Sequence, residues 1–229
     1  MALAMPGAVF IDKDGTLVRD IPYNIDPGCI ELAKGAGTAL RRLRNAGYKM
    51  IVISNQPGIA LNLFNERDLL PVNRRIQDLL SSYEVEIDAF YYCPHEPADY
   101  CACRKPLPGM ILRAAREQGV ETAISWMIGD ILNDVEAGNR AGCRTIHLDN
   151  GNETEWMKGD YRQPGWTVRD LPTAAEVICS GSARSSGIAG KQATGDGRRG
   201  GPAMCSATSA RASMSLMSPK GKSLEGTGK

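Results

Sequence analysis

Short, continuously apolar runs alternate with helix-like patterns along most of this 229-residue chain. Apolar runs of this kind are typical of strands that are buried on both faces of a sheet. They are expected at 8–11, 50–53, 88–92, 126–128 and 145–148, and helices at 36–46, 66–82, 108–118, 133–141 and 171–178. The alternation predicts an α/β fold, a Rossmann-like parallel sheet with helices on both faces.

Polar residues stand at the ends of four of these apolar runs. They are Asp12, Ser54, Cys93 and Asp130. Ligands of open parallel sheets bind outside the carboxyl ends of the strands. We therefore expect these four residues to meet at one edge of the sheet, where a functional site would be built.

The last fifty residues have a different composition from the rest of the chain. Residues 180–229 contain no aromatic residue and hold 8 Lys/Arg against 2 Asp/Glu (+6), whereas residues 1–179 hold 19 against 24 (−5). So few apolar residues cannot offset the entropy of ordering a chain. We expect one domain at 1–179 and a disordered, basic tail at 180–229.

Cysteine usage indicates the compartment. The chain has seven cysteines, an odd number, and three of them fall in one short segment. This pattern argues against a secreted disulfide framework and favours reduced thiols in the cytoplasm. We expect no signal peptide, and no apolar run approaches the roughly 20 residues that a membrane helix needs.

Three thiols and an imidazole follow the third apolar run at C-x-H-x5-C-x-C spacing. They are Cys93, His95, Cys101 and Cys103. Four soft ligands are the set that a tetrahedral structural zinc takes, and the histidine favours zinc over a redox C-x-C pair. Arg104 and Lys105 come next, and a loop held by zinc would direct these two cations towards an anion.

Four acidic residues follow two of the apolar runs. Asp12 and Asp14 belong to a D-x-D-G-T segment, and Asp130 and Asp134 to a G-D-x-x-x-D segment. D-x-D-G-T alone is compatible with a capped turn. Four acids at one sheet edge repel each other without a cation, and Mg²⁺ fits because it accepts few carboxylates and keeps positions for other oxygens.

These motifs, in this order, resemble the haloacid dehalogenase-like (HAD-like) phosphatases over roughly residues 8–178. The resemblance implies that Asp12 is a nucleophile that forms an aspartyl-phosphate and that Asp14 is the general acid and base. It also implies Mg²⁺ held by Asp12, the backbone carbonyl of Asp14 and Asp130. Asp134 would support that metal shell or the ammonium of Lys105.

Phosphate is expected to bind through donors at the ends of the second and third strands. Ser54, Asn55 and Gln56 would provide a hydroxyl and backbone N–H groups to the phosphoryl oxygens. Lys105 would stabilise the charge that builds up on the transferred phosphoryl group. Arg104 would bind a second phosphate or a sugar hydroxyl.

The zinc segment followed by Arg-Lys-Pro resembles two groups within the family, and neither has a large cap domain. One group removes the 7-phosphate of D-glycero-D-manno-heptose 1,7-bisphosphate, and the other acts on histidinol phosphate. The segments 54–60, 91–95 and 106–110 favour the heptose group, as do Asp20 and Tyr23, which match the part that contacts the sugar there. The expected substrate is therefore a small phosphorylated sugar.

Two positions depart from the heptose group. Leu61-Asn62 stand where Arg-Gly is common, and Ile131 stands where Lys is frequent. Each change removes a cation from the expected site, so these positions do not specify which sugar or which anomer is the substrate. Histidinol phosphate and another small sugar phosphate are the alternative substrates.

The remaining expectations concern partners and unassigned residues. We expect a monomer that binds no membrane. The non-enzyme alternative is a nucleic-acid-associated protein that binds through the basic tail, but the acidic domain and the lack of tail aromatics count against it. His147 is expected to be a packed core residue, and no role is predicted for 150–156.

Overall fold

The computed structural model describes residues 6–184. The strands are β1 (Ala8–Ile11), β2 (Lys49–Asn55), β3 (Ala89–Cys93), β4 (Trp126–Gly129), β5 (Arg144–Leu148) and β6 (Trp166–Val168). The α-helices are α1 (Ala36–Asn45), α2 (Leu69–Ser81), α3 (Gly109–Gln118), α4 (Leu132–Arg140) and α5 (Leu171–Arg184). The strands form one parallel sheet in the order β3-β2-β1-β4-β5-β6.

Helices cover both faces of the sheet, as predicted. Val9 and Ile11 pack in one apolar cluster with residues of α1, α2 and α5. Ala8 and Phe10 pack in a second cluster with residues of α3 and α4. Successive side chains of a strand point to opposite faces, so the short β1 contributes to both layers of the core. All four of its residues are fully buried.

The predicted strands and helices are present, with differences at their ends. The helix predicted at 66–82 begins as a 3-10 turn at Glu66–Asp68 and becomes α2 at Leu69. The last helix continues beyond 178 to Arg184. From residue 185 on, the expected tail lies outside the described residues. Within residues 6–184, no helix is long and apolar enough to cross a membrane.

One strand was not predicted. The edge strand β6 has only three residues, and Trp166 and Thr167 are exposed. It joins the sheet through a parallel pairing with β5. A strand this short and half exposed has neither a continuous apolar run nor a clear alternation, so hydrophobic pattern gives no signal for it.

The strand order places the crevice of the sheet beside β1. The chain runs from β1 outward through β2 to β3 and then crosses to β4 on the other side of β1. Where the strand order reverses in this way, ligands bind at the carboxyl ends of the strands. Asp12, Ser54, Cys93 and Asp130 all stand at that edge, because each lies within one residue of the end of a strand.

Candidate active site

Three buried carboxylates meet where β1 and β4 end. Asp12 follows β1, Asp130 follows β4, and Asp134 lies in the first turn of α4. One carboxylate oxygen of each lies within 4.8 Å of the others. Burial raises the pKa of Asp12 to about 7 and that of Asp130 to about 6, and it also raises the pKa of Asp134. The site therefore holds negative charge that the protein surroundings disfavour.

Lys105 supplies one positive charge to this cluster. Its ammonium contacts Asp12, lies 2.6 Å from Asp134 Oδ1 and donates to the carbonyl of Ile53 at 3.0 Å. Burial alone lowers the pKa of Lys105, but the charges of Asp12 and Asp134 raise it above its ordinary value. With all three acids ionised, one ammonium leaves two negative charges uncompensated. A divalent cation with a preference for carboxylate oxygens fits that deficit.

Asn55 fixes the backbone of Lys105. Its side-chain oxygen accepts a hydrogen bond from the Lys105 N–H at 3.0 Å, and its side-chain nitrogen donates to the Lys105 carbonyl at 3.1 Å. Asn55 is the last residue of β2, so this double contact attaches the Lys105 loop directly to the sheet. The sequence predicted a phosphate contact for Asn55, and the structure places its amide on Lys105.

Asp14 lies at the rim of the cluster, where its side chain is 28% exposed. The side chain of Gln56 donates to Asp14 Oδ2 and to Ser54 Oγ, both at 2.9 Å. On the other side, the buried ammonium of Lys13 lies 2.8 Å from Asp14 Oδ1. A carboxylate that reaches water yet is held from two sides is well arranged to exchange a proton.

A cavity of about 230 Å³ opens at this edge of the sheet. Nine residues line it: Asp12, Asp14, Asp20, Ser54, Asn55, Lys105, Asp130, Ile131 and Asn152. Seven of these nine residues were predicted to belong to the site. Burial, together with the charge of nearby Asp14, raises the pKa of Asp20. Tyr23, which was predicted to contact the sugar, is 51% exposed and does not line this cavity.

Sequence reasoning missed the residues that follow β5. Asn152 donates to Asp130 Oδ2 at 2.7 Å, and Asn150 donates to the carbonyl of Gly15 at 2.8 Å. His147 lies within β5 and is buried, as predicted, and its Nε2 donates to the Asp130 carbonyl at 3.1 Å. The available signal was the position of this polar segment after a strand, at the edge where the other site residues were expected.

The Cys/His residues form a compact tetrahedral set. Cys93 Sγ lies 3.7 Å from Cys101 Sγ and 3.3 Å from Cys103 Sγ, and the two latter sulfurs are 3.5 Å apart. His95 Nδ1 lies 3.6 Å from Cys93 Sγ and 3.3 Å from Cys103 Sγ. Zn–S bonds of about 2.3 Å imply about 3.8 Å between sulfurs of a tetrahedron. The donor set and its spacing fit zinc.

Arg104 is held next to the Cys/His cluster. Its guanidinium donates to the carbonyl of His95 at 2.9 Å. It lines a second cavity, of about 370 Å³, whose lining includes Tyr100, Leu107 and Asn133. Lys105 lines both cavities, so the second cavity adjoins the acidic one. A cavity of about 620 Å³ near Arg44 is lined by none of the predicted site residues.

The site combines a parallel sheet, an acidic cluster after β1 and β4, and a buried lysine. This combination is typical of a phosphatase, a hydrolase that acts by phosphoryl transfer. Comparisons with known proteins agree with this class. The family model described as HAD-hydrolase-like matches residues 102–174. Two curated relatives are named D-glycero-beta-D-manno-heptose-1,7-bisphosphate 7-phosphatase. The Yersinia pestis protein is 34% identical over 178 residues, covering 75% of this chain and 94% of that protein.

The second relative, from Salmonella typhi, is 36% identical over 190 residues, which cover 76% of this chain and 97% of that protein. A solved structure of the D,D-heptose 1,7-bisphosphate phosphatase from B. bronchiseptica, complexed with magnesium and phosphate, superposes with a TM-score of 0.69 at 30% identity. That match covers 76% of this chain and 99% of the other. The chain therefore belongs to the family of HAD-like phosphatases, and it is a phosphoric monoester hydrolase.

Proposed function

We propose that this protein is a magnesium-dependent phosphatase that removes the 7-phosphate of D-glycero-D-manno-heptose 1,7-bisphosphate. The observation that carries the proposal is the pairing of Asp12 with Lys105 inside a cavity that Asp14 also lines. These side chains provide a nucleophile, a fixed cation and a proton carrier around one small space. The names of the two curated relatives, which the chain matches over nearly their whole length, support the heptose substrate.

The reaction takes two displacements at phosphorus. A carboxylate oxygen of Asp12 attacks the phosphorus, the bond to the C7 oxygen breaks, and Asp14 gives its proton to that leaving oxygen. A water molecule then loses a proton to Asp14 and attacks the same phosphorus. The bond to Asp12 breaks, inorganic phosphate leaves, and both acids return to their starting protonation states.

Lys105 prepares Asp12 for the first displacement. Burial favours the protonated carboxyl of Asp12, whereas the charge of Lys105 favours the carboxylate, which is the form that can attack. The same ammonium is placed to meet the charge on the transferred phosphoryl oxygens. Ser54 is buried beside the cavity and would add a hydroxyl donor. Asn55 acts indirectly, because it holds the Lys105 backbone.

Magnesium would be held by Asp12, Asp130 and the backbone carbonyl of Asp14, with Asp134 in support. When bound, it would balance the charge of the phosphate oxygens and the acids. The two uncompensated charges of the acidic cluster support this assignment, and so does the magnesium complexed in the related B. bronchiseptica structure. Zinc would be held by the Cys/His cluster and would fix the loop that carries Arg104, which would bind the second phosphate of the substrate.

The cellular setting is part of the same proposal. All six cysteines among the described residues are free thiols, which suits a reducing cytoplasm. We propose a monomer that acts on a small phosphorylated sugar and binds neither membranes nor nucleic acid. A nucleic-acid role through the predicted basic tail would rest on residues outside those that the structure describes.

Histidinol phosphate is the second candidate substrate, and one observation favours it. Ile131 lines the acidic cavity at the position where a lysine is frequent in the heptose group. Among the residues that line this cavity, Lys105 is the one cation. The absence of a second cation would therefore weaken the binding of a substrate with a single phosphate less than that of a bisphosphate.

Steady-state assays of both substrates test the proposal. We expect kcat/KM for heptose 1,7-bisphosphate to exceed that for histidinol phosphate by at least about tenfold, which corresponds to about 1.4 kcal/mol of transition-state binding. Each anomer of the heptose should be assayed separately. A preference for histidinol phosphate would overturn the heptose assignment and leave the phosphatase chemistry intact.

The nucleophile is tested by Asp12→Asn. We expect loss of turnover, because an amide oxygen is a far weaker nucleophile than a carboxylate, while the fold is kept. The matched control is Asp78→Asn, which changes an exposed carboxylate on α2 outside the acidic cavity and should leave kcat unchanged. Full activity of Asp12→Asn would rule out the aspartyl-phosphate route.

A further inference from the structure

The end of β5 and the polar segment after it contact the Asp130 motif at three points. Asn152 donates to Asp130 Oδ2 at 2.7 Å, and His147 donates to the Asp130 carbonyl at 3.1 Å. A carboxylate oxygen of Glu153 accepts from the Leu132 N–H, at the start of α4, at 2.6 Å. One short stretch of chain thus holds the side chain and backbone of Asp130 as well as the helix that follows it.

The contact between Asn152 and Asp130 is enclosed by the D-x-D-G-T loop. A Cβ atom at Gly15 would lie 2.1 Å from Asp130 Oδ2 and 2.7 Å from Asn152 Nδ2, closer than atoms can approach. Gly15 also has φ +83°, which a side chain disfavours. The Gly15 carbonyl accepts from Asn150 at 2.8 Å, so the same segment holds both acidic motifs.

The segment is anchored at places beyond these contacts. The ring of Trp156 packs edge-on against His147, with centroids 5.1 Å apart. Further along, the Asn139 side chain donates to the carbonyls of Tyr161 and Gln163 at 2.8 and 2.9 Å. Asn152 itself is exposed on its loop and lines the acidic cavity. Its amide therefore reaches Asp130 from a loop that is anchored by residues further along the chain.

We propose that Asn152 is a positioning residue that orients the Asp130 carboxylate for the divalent cation, an inference that rests on the magnesium of the proposed function. Thr16 donates to the other oxygen, Asp130 Oδ1, at 3.1 Å, so both oxygens are held by neutral donors. A neutral amide fixes the direction of a carboxylate without cancelling its charge. A lysine or arginine here would instead compete with the metal for that charge.

Cation binding tests this role without any substrate. Mn²⁺, followed by electron paramagnetic resonance, and Mg²⁺, followed by calorimetry, are titrated into the wild-type chain, Asn152→Ala and Asn152→Leu. Loss of a hydrogen bond to a metal ligand typically weakens metal binding about 10- to 100-fold. We expect a rise of that size in Kd for both variants, with an unchanged Tm because Asn152 is exposed. The leucine variant keeps most of the side-chain volume.

The matched control is Asn139→Ala, which removes an anchor of the following loop but no contact to Asp130. We expect its Kd to stay within about threefold of the wild-type value. Equal Kd values for the Asn152 variants and the wild type would overturn the proposal, as would an equal loss in Asn139→Ala. A wild-type chain that binds neither cation would remove the magnesium assignment as well, so the two failures are distinguishable.

Discussion

Asn55 links two parts of the candidate site through one side-chain amide. Both of its polar groups contact the backbone of Lys105, whose ammonium lies deep between Asp12 and Asp134. Each such hydrogen bond contributes roughly 0.5–1.5 kcal/mol. The ammonium has contacts on several sides, so a small shift of the Lys105 backbone would change its distance to the reacting phosphoryl group.

Replacing Asn55 with alanine should therefore lower kcat more than it raises KM. We expect a fall of about 5- to 100-fold in kcat, since two hydrogen bonds of that strength are lost and the role proposed for Lys105 is to stabilise charge that develops in the transition state. Steady-state kinetics separate the two constants. Asn45→Ala, at the exposed end of α1, is the control. A large rise in KM at constant kcat would mean that Asn55 binds substrate directly.

For individual residues, the sequence identifies those that belong to a recognisable motif. It does not identify residues that reach the site only because of the conformation of a loop. Asp12 and Asp130 follow strands within recognisable segments, so their meeting follows from the topology. Asn152 contacts Asp130 from 22 positions further along the chain, through a loop with no periodic pattern. Lys13 stands between two aspartates, and its burial beside Asp14 depends on how the chain turns after β1.

The Cys/His segment, the proposed zinc site, contacts the apolar core through its cysteines but has little regular structure of its own. After Cys93, the last residue of β3, residues 94–105 contain one 3-10 turn at Pro97–Asp99 and no other regular structure. Tyr100 is 93% exposed, so the middle of the segment buries little apolar surface. A segment of this kind gains much of its order from its metal, because binding free energy becomes folding free energy.

Removal of zinc should raise KM more than it slows formation of the aspartyl-phosphate. Arg104 is held to this segment by its hydrogen bond to the His95 carbonyl, so the contact with substrate that we propose for it should weaken when the cluster opens. Chelation followed by dialysis and addition of Mg²⁺ gives the zinc-free enzyme, and metal analysis verifies its content. Steady-state and single-turnover assays then separate KM from the chemical step.

Cys101→Ser should reproduce the effect of chelation, because it removes one of the four donors. Cys29→Ser, at an exposed thiol outside the cluster, should behave like the wild type. Unchanged kinetics in zinc-free protein would contradict a supporting role for the metal.

Buried strands were easier to predict from the sequence than exposed ones. β1, β2 and β4 are continuous apolar runs because they lie in the interior of the sheet with helices on both faces. β6 lies at the edge and is half exposed, so its sequence carries no comparable signal. The ends of α2 and α5 differ from prediction because hydrophobic spacing fixes which face is buried, but not where the last turn begins or ends.

At the scale of the described chain, residues 6–184, the fold buries three acidic side chains at the carboxyl edge of the sheet. Asp12, Asp130 and Asp134 are nearly or fully buried, and burial raises the pKa of each. The two apolar clusters, which hold the sheet and helices together, keep these acids in place. Without a cation, the ionised acids lower the stability of the folded state.

The metal-free protein should therefore lose stability as pH rises from 5 to 8. A carboxyl with a raised pKa binds its proton more tightly in the folded than in the unfolded state, so stability falls as pH rises. This stabilisation is complete below the ordinary pKa of 3.8. It is lost as the pH passes about 6 for Asp130 and about 7 for Asp12. Thermal unfolding of metal-free protein across that range measures the loss.

Two comparisons assign that pH dependence to the acidic cluster. Asp12→Asn removes one of the titrating groups and should flatten the curve of Tm against pH, whereas Asp78→Asn should not. Mg²⁺ should raise Tm most at pH 8, where the acids are ionised and a bound cation stabilises only the folded state. A metal-free Tm that stays constant or rises between pH 5 and 8 would show that these carboxyls titrate normally, and the charge deficit that supports magnesium would then be absent.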